Sequence, residues 1–226
     1  NISDDKIKNK ANLFIEKSDN GYKLNSLDNV LNKLNFTDKE KERVNDYIDQ
    51  LKYFGLTPYR LKEDSKYTKF IEEIKDEAIK NYKEYKILPS ITIAQAILES
   101  SWGESDLAQI YNNLFGIKAD SSWKGEYVTL ETFEFYDTKI EDKFRVYSNK
   151  NQSIKDHAKF LVDNQRYKKY GVFEAKTYIE QAYALQNAGY STAEDNSGQK
   201  RYAKDLIELI RQYNLQLIES EIKISD

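Results

Sequence analysis

In a chain whose charged residues make up 32% of the whole, segment 91–103, ITIAQAILESSWG, is apolar or small at nearly every position before Glu99. Amphipathic surface helices bury one stripe and leave the opposite face polar. This segment has no comparable polar face, so it predicts a helix from about 91 to 102 with little surface to give to water. Spacing of three and four puts Ile91, Ala94, Ile97 and Leu98 toward the core. Thr92, Gln95, Ala96, Glu99 and Trp102 fall on another side. Ser90, after Pro89, is the expected cap, and Gly103 suits a left-handed residue beyond the end. Glu99 thus sits late on an apolar helix. Apolar neighbours, the negative end of the helix and a second carboxylate across a cleft would each raise its pKa. A carboxylic acid kept protonated near neutral pH can protonate a glycosidic oxygen, a poor leaving group. The competing reading is a solvated helix-surface glutamate.

Helices dominate the rest. Residues 1–62 read as a polar helical extension, with a capping-box pattern from Thr37 to Glu40 and a helix ending near Gly55 before Pro58. A helix from about 65 to 86 shows an apolar face of Phe70, Ile71, Ile74, Ala78 and Tyr82. Residues 120–148 change character. They are rich in Val, Thr, Phe and Tyr and predict a small β lobe turning at Asp137, Thr138 and Lys139. Helices resume at Ser153, capped with Asp156, and at Thr177, capped with Glu180 and closed at Gly189. A last helix spans about 199–213. The fold class is α+β, mainly α, with residues 63–226 forming a helical lobe and a β hairpin that flank a substrate cleft.

Composition narrows the chemistry. Cysteine is absent and histidine occurs once, at His157. Disulfides, cysteine-ligated metals, multi-histidine zinc sites and histidine-based triads are therefore excluded or disfavoured. Carboxylates and tyrosines remain. The net charge of -3 gives no case for nucleic acid, and no run of about 18 apolar residues exists to span a membrane. No metal or organic cofactor is called for. A chain beginning at Asn1 without methionine reads as a piece of a longer, processed protein.

Segment 88–118, LPSITIAQAILESSWGESDLAQIYNNLFGIK, resembles the signature of glycoside hydrolase family 73, the glucosaminidases of bacterial autolysins. The likeness continues through TFE at 132–134, FRVYS at 144–148, SIKDHAKFL at 153–161, NQRYKKY at 164–170 and AGYST at 188–192. It covers roughly 66 to 214. The resemblance implies a lysozyme-like fold and cleavage of the β-1,4 bond after N-acetylglucosamine in peptidoglycan. It further implies a secreted, wall-associated enzyme acting on glycan strands as a monomer, in daughter-cell separation or wall turnover. Glu99 takes the place of the family's general acid, Glu134 that of the second carboxylate in a T-x-E segment, and Tyr190 that of a family tyrosine. Ser191 departs from the family's usual alanine. A muramidase or lytic transglycosylase of related fold, and a wall-binding module without activity, are the alternatives.

Glu131 competes with Glu134 for the second role. The two lie three apart on a strand, so at most one points into the cleft. Gln95, Trp102, Asn113, Phe115, Tyr136 and Tyr167 are candidate substrate-binding residues. Each aromatic among them is as readily a core residue, and Asn113 is as readily a turn-holding amide. His157 reads as a structural histidine bonded to a neighbour.

Overall fold

The structure, a computed structural model, describes residues 4–18, 21–53, 61–62, 64–134, 138–195 and 197–222. Two compact units divide the chain, residues 1–57 and 58–226.

In the first unit α1 (Asp4–Ala11) leads through a 3-10 turn into an antiparallel hairpin of β1 (Ile15–Ser18) and β2 (Gly21–Leu24). The expected all-helical extension thus contains a small sheet. Its strands are only four residues long and mix apolar with polar residues, so they show no clear period of two. Ser26 caps α2 (Leu27–Lys33) by accepting from Asn29 N at 3.2 Å. At the head of α3 (Asp38–Tyr53), the Glu40 carboxylate accepts from Thr37 N and Thr37 Oγ1, both at 2.8 Å. This is the acidic half of the expected capping box. The helix end expected at Gly55 and Pro58 lies outside the described residues.

The second unit is built around α5 (Pro89–Ser100). Every residue from Pro89 to Ile97 is buried, as is Ser100. It packs against α4 (Lys66–Tyr85), α9 (Tyr178–Asn187), α10 (Tyr202–Tyr213) and a final 3-10 segment (Leu215–Glu221). Only Leu98 and Glu99 emerge. Leu98, expected in the core, is 37% exposed, because the surrounding helices close over every side of α5 but its last turn. Ser90 is not the cap. Pro89 occupies the first helical position, where its missing amide costs nothing. Ser90 is fully buried inside the helix. The amides of that end that lack an intrahelical partner are met from far away: Leu88 N donates to Gln181 Oε1 at 2.7 Å, and Ser90 N to Glu219 Oε1 at 3.2 Å. Burial raises the Glu219 carboxyl above its ordinary range.

The helix also ends earlier than expected. Ser101, Trp102 and Gly103 all adopt left-handed backbone, with φ of 51°, 65° and 74°. Ser100 pins this exit. Its Oγ donates to Ala96 O at 2.5 Å and accepts from Gly103 N at 2.7 Å. A Cβ on Gly103 would lie 2.7 Å from the Phe70 ring.

Past α6 (Asp106–Tyr111) the chain enters the β lobe, β3 (Tyr127–Glu134) paired antiparallel with β4 (Thr138–Arg145) from Tyr127↔Arg145 to Glu134↔Thr138. Thr138 and Lys139 open β4 instead of forming the turn. Asp137 lies outside the described residues. Ala119 N donates to Lys143 O at 2.7 Å and Arg145 N to Ile117 O at 3.0 Å, which widens the hairpin base. That base is tied to α7 (Lys150–Asp163) through one carboxylate oxygen: Asp156 Oδ2 accepts from Arg145 Nη1 at 2.8 Å and from Tyr147 Oη at 2.7 Å. The cap of α7 is Asn149, which accepts from Gln152 N at 2.9 Å. Ser153, the expected cap, is buried and accepts from Leu114 N at 3.1 Å. The short α8 (Gln165–Lys169) follows. Thr177 caps α9 as expected, accepting from Glu180 N at 3.2 Å. The final helix α10 starts at Tyr202 rather than near 199.

Gly103→Ala should destabilise the second unit by about 2 kcal/mol, since it combines a left-handed backbone with overlap against Phe70. Urea melts followed by circular dichroism check this; an unchanged midpoint would mean the exit from α5 is not held as described.

Candidate active site

Glu99 leaves α5 one residue before the helix ends. The residue is exposed, yet burial pushes its carboxyl above the ordinary range. The side chain is accessible, while the surrounding protein denies its charge full hydration. Tyr202 Oη donates to Glu99 Oε1 at 3.1 Å and partly offsets the rise. The same phenol accepts from Gln95 Nε2 at 2.9 Å, which fixes its rotor so that the proton points at Glu99.

Tyr190 stands beside this pair. Its ring stacks on Tyr202 with centroids 5.1 Å apart and planes 20° apart. It is placed by the end of α9: Gly189 is left-handed at φ 73°, and Tyr190 N donates back to Leu185 O at 3.0 Å. Burial holds both phenols well above the usual tyrosine range, and the nearby Glu99 carboxylate adds to it. Both therefore stay neutral donors at physiological pH. Behind them His157, fully buried, meets Tyr190 Oη through Nε2 at 3.0 Å and stacks on Phe115 at 3.8 Å. Burial lowers its pKa to about 3, so the ring is neutral. The histidine braces the tyrosine, in line with the reading of it as structural.

Most of the expected sugar contacts lie beneath the surface. Gln95 and Tyr167 are fully buried, and Phe115 is 7% exposed. Gln95 acts on Tyr202, Phe115 on His157, and Tyr167 Oη accepts from Arg166 Nη2 at 2.8 Å. Asn113 is the turn-holder: its Nδ2 donates to Ile117 O at 3.0 Å and Arg145 O at 2.9 Å, while Oδ1 accepts from Ile117 N at 3.1 Å. With the helix ended at Ser100, Trp102 does not sit one turn above Glu99. It packs half-buried against Tyr67 and Tyr213, with ring centroids 4.5 and 4.7 Å away. Phe115 and Tyr167 are thus core aromatics, whereas Gln95 and Asn113 are spent on buried hydrogen bonds. Glu131 is exposed and lies opposite Glu141 in the hairpin. The Glu134 backbone pairs with Thr138 at the outer end of β3. The Glu134 side chain and Tyr136 lie outside the described residues. Tyr202 was not anticipated. It is 103 residues from Glu99, and with Leu206 and Ile210 one and two turns on, it reads as the start of a core stripe. Among the described residues no group of three or more His, Asp or Glu side chains could hold a metal ion.

Residues 75–215 match the Glucosaminidase family, described as mannosyl-glycoprotein endo-beta-N-acetylglucosaminidase. The chain belongs to the glucosaminidase family. Among relatives of this glucosaminidase chain, exo-glucosaminidase LytG of Bacillus subtilis is 45% identical over 152 residues, covering 65% of the chain and 51% of LytG. Peptidoglycan hydrolase FlgJ of Vibrio parahaemolyticus is 43% identical over 104 residues, covering 43% of the chain and 34% of FlgJ. The chain thus spans about half the length of LytG, and less of FlgJ. The catalytic domain of the autolysin Auto from Listeria monocytogenes superposes with a TM-score of 0.59 at 32% identity, over 81% of the chain and 98% of that domain. The fold of the second unit is that of glycoside hydrolase domains, mainly helical with the two-stranded sheet β3–β4.

Tyr202→Phe removes the donor that favours ionised Glu99, so the Glu99 pKa should rise further. If Glu99 must be protonated to act, the alkaline limb of the pH–activity profile moves to higher pH. A limb that moves to lower pH would refute the assignment of Tyr202 as that donor. The loss of an acceptor for buried Gln95 should also cost about 1–3 kcal/mol of stability.

Proposed function

We propose that the chain hydrolyses the β-1,4 bond between N-acetylglucosamine and N-acetylmuramic acid in peptidoglycan, cutting within the glycan strand. The observation that carries this reading is Glu99, an accessible carboxyl with a raised pKa, oriented by a phenol that is itself locked. Protonated, it gives its proton to the bridging oxygen as the bond to the anomeric carbon breaks. The positive charge that builds on the sugar then faces an ionised Glu99. Family membership supports the glucosaminidase bond, and the names of LytG and FlgJ support the wall substrate.

Glu134 is the proposed base, drawing a proton from the water that attacks from the opposite face and inverting the anomeric centre. Its place in the T-x-E segment supports this over Glu131. Tyr190, next to Glu99 and neutral, is proposed to donate to the substrate near the reacting sugar. No step calls for a metal or cofactor. A secreted, wall-associated protein that separates daughter cells or turns over the wall is the role such chemistry fits. Among the described residues no helix is long and apolar enough to cross a membrane.

Mass spectrometry of a peptidoglycan digest tests the bond. Reducing N-acetylglucosamine ends are expected; reducing muramic acid ends would point to a muramidase and 1,6-anhydro ends to a transglycosylase. NMR of early product should show the α-anomer, and the β-anomer would refute inversion. Glu99→Gln should lower the rate by a factor of about 10² to 10⁴. The same substitution separates site from scaffold. Because the folded pKa of Glu99 is raised, its contribution to stability is present below the ordinary carboxyl pKa and is lost as pH rises through the folded value. Glu99→Gln should therefore raise the melting temperature at pH 7 and leave it unchanged near pH 4. A variant that is inactive and also less stable at pH 7 would contradict a charge kept at a cost for function.

A further inference from the structure

A cavity of about 510 Å³ opens between the hairpin base, α7 and the end of α4, and Glu99 is not among its lining residues. Its volume is within the range of small-ligand pockets. Lys155 and Lys159 line it. On α7 they lie roughly 200° and 160° round the axis from His157, by helical geometry at about 100° per residue. His157, with Ile154, Ala158 and Leu161, forms the buried face of α7, whereas both lysines are exposed. The cavity is therefore on the far side of α7 from the Tyr190–Tyr202–Glu99 cluster.

The chemistry of the lining is selective. Trp123, Tyr85, Tyr147 and Val146 make an apolar wall. The wall is not a sugar-stacking platform. Arg145 covers one face of Trp123 at 4.5 Å, Tyr147 meets that ring edge-on at 5.9 Å, and Tyr147 is 4% exposed. Its polar groups are already paired: Trp123 Nε1 donates to Glu126 O at 2.9 Å, Tyr147 Oη to Asp156, and Gln152 Oε1 accepts from Ser148 N at 3.0 Å. The Asp156 charge is met by Arg145 at 2.8 Å. What stays available is two ammonium groups a turn apart, Lys155 and Lys159, which form no hydrogen bond or ion pair among the described residues, and the exposed carboxylate of Glu126 across from them. An apolar wall between two cations and one anion fits a short zwitterionic peptide with more carboxylates than amines.

We propose that this cavity binds the stem peptide of peptidoglycan, with its carboxylates at Lys155 and Lys159, its diamino-acid ammonium at Glu126 and its alanyl methyls on the Trp123 wall. The proposal rests on the wall-hydrolase reading above. It makes the chain a reader of peptide-bearing glycan, with the strand cut at Glu99 and a stem peptide held on the other side of α7.

The test titrates the full chain with N-acetyl-L-alanyl-γ-D-glutamyl-L-lysyl-D-alanine, whose acetyl group stands in for the amide link to the glycan, and follows the two indole N–H resonances, Trp102 and Trp123. Trp123, whose N–H is bonded to Glu126 O, should shift while Trp102 holds still. The double variant Lys155→Glu, Lys159→Glu should weaken this binding about tenfold, as expected for losing and reversing two exposed charge contacts. The same variant should raise KM on peptide-bearing peptidoglycan by a similar factor and leave kcat/KM on peptide-stripped glycan strands unchanged. A Trp123 resonance indifferent to the peptide, equal binding by the variant, or a shift produced by N-acetylglucosamine oligomers instead would each overturn the assignment. Lysine-dependent peptide binding by a chain that cuts no glycan would overturn the hydrolase reading and leave the peptide site standing.

Discussion

The burial of α5 governs the second unit. A helix with so little polar surface must be wrapped, and four other segments wrap it. The wrapping elements then have to satisfy its ends, because backbone groups at helix termini have no partners of their own. Gln181 and Glu219 do so at the start, and Ser100 with a left-handed exit does so at the finish. Where the wrapping stops, Glu99 emerges. Glu99 is thus carried by a helix buried along nearly its whole length, and its surroundings are the edge of a hydrophobic core.

Among the described residues, that location by itself accounts for the electrostatics. Desolvation alone raises the Glu99 carboxyl, and the main opposing influence is one phenol. A buried hydrogen-bonded chain sets that phenol: Gln95 to Tyr202 to Glu99. A parallel chain runs from Phe115 through His157 to Tyr190. Each side chain has few alternatives, so the donors facing the reaction zone are organised before any substrate arrives. The β hairpin is held differently. Its base is tied to α7 by the Arg145–Asp156–Tyr147 cluster, and toward its outer end the Glu134 backbone pairs with Thr138.

The aromatic residues show how composition and position part company. Tyrosine is abundant here, with 18 copies, and at the sequence level any of them could be a sugar platform. In the fold, Tyr167 and Tyr202 are buried, Tyr190 is half-buried next to the acid, and Trp102 fills a cluster with Tyr67 and Tyr213. Trp123, with no role foreseen for it, instead lines a cavity behind α7.

The sequence by itself determined the helix that carries Glu99, the order of helices and β3–β4 hairpin in the second unit, and the family. All of these are written in short-range periods and in a contiguous motif, which local physics can read. It also limited the chemistry to carboxylates and phenols, since a single histidine and no cysteine leave little else. Only the tertiary structure decided that Tyr202 donates to Glu99, that Gln95 and Asn113 serve the scaffold, and that α5 is capped by residues 93 and 129 positions away. The reason is sequence separation. A hydrogen bond between distant positions leaves no periodic trace in the chain, and a tyrosine heading an apolar stripe looks the same whether its hydroxyl meets solvent or a catalytic carboxyl.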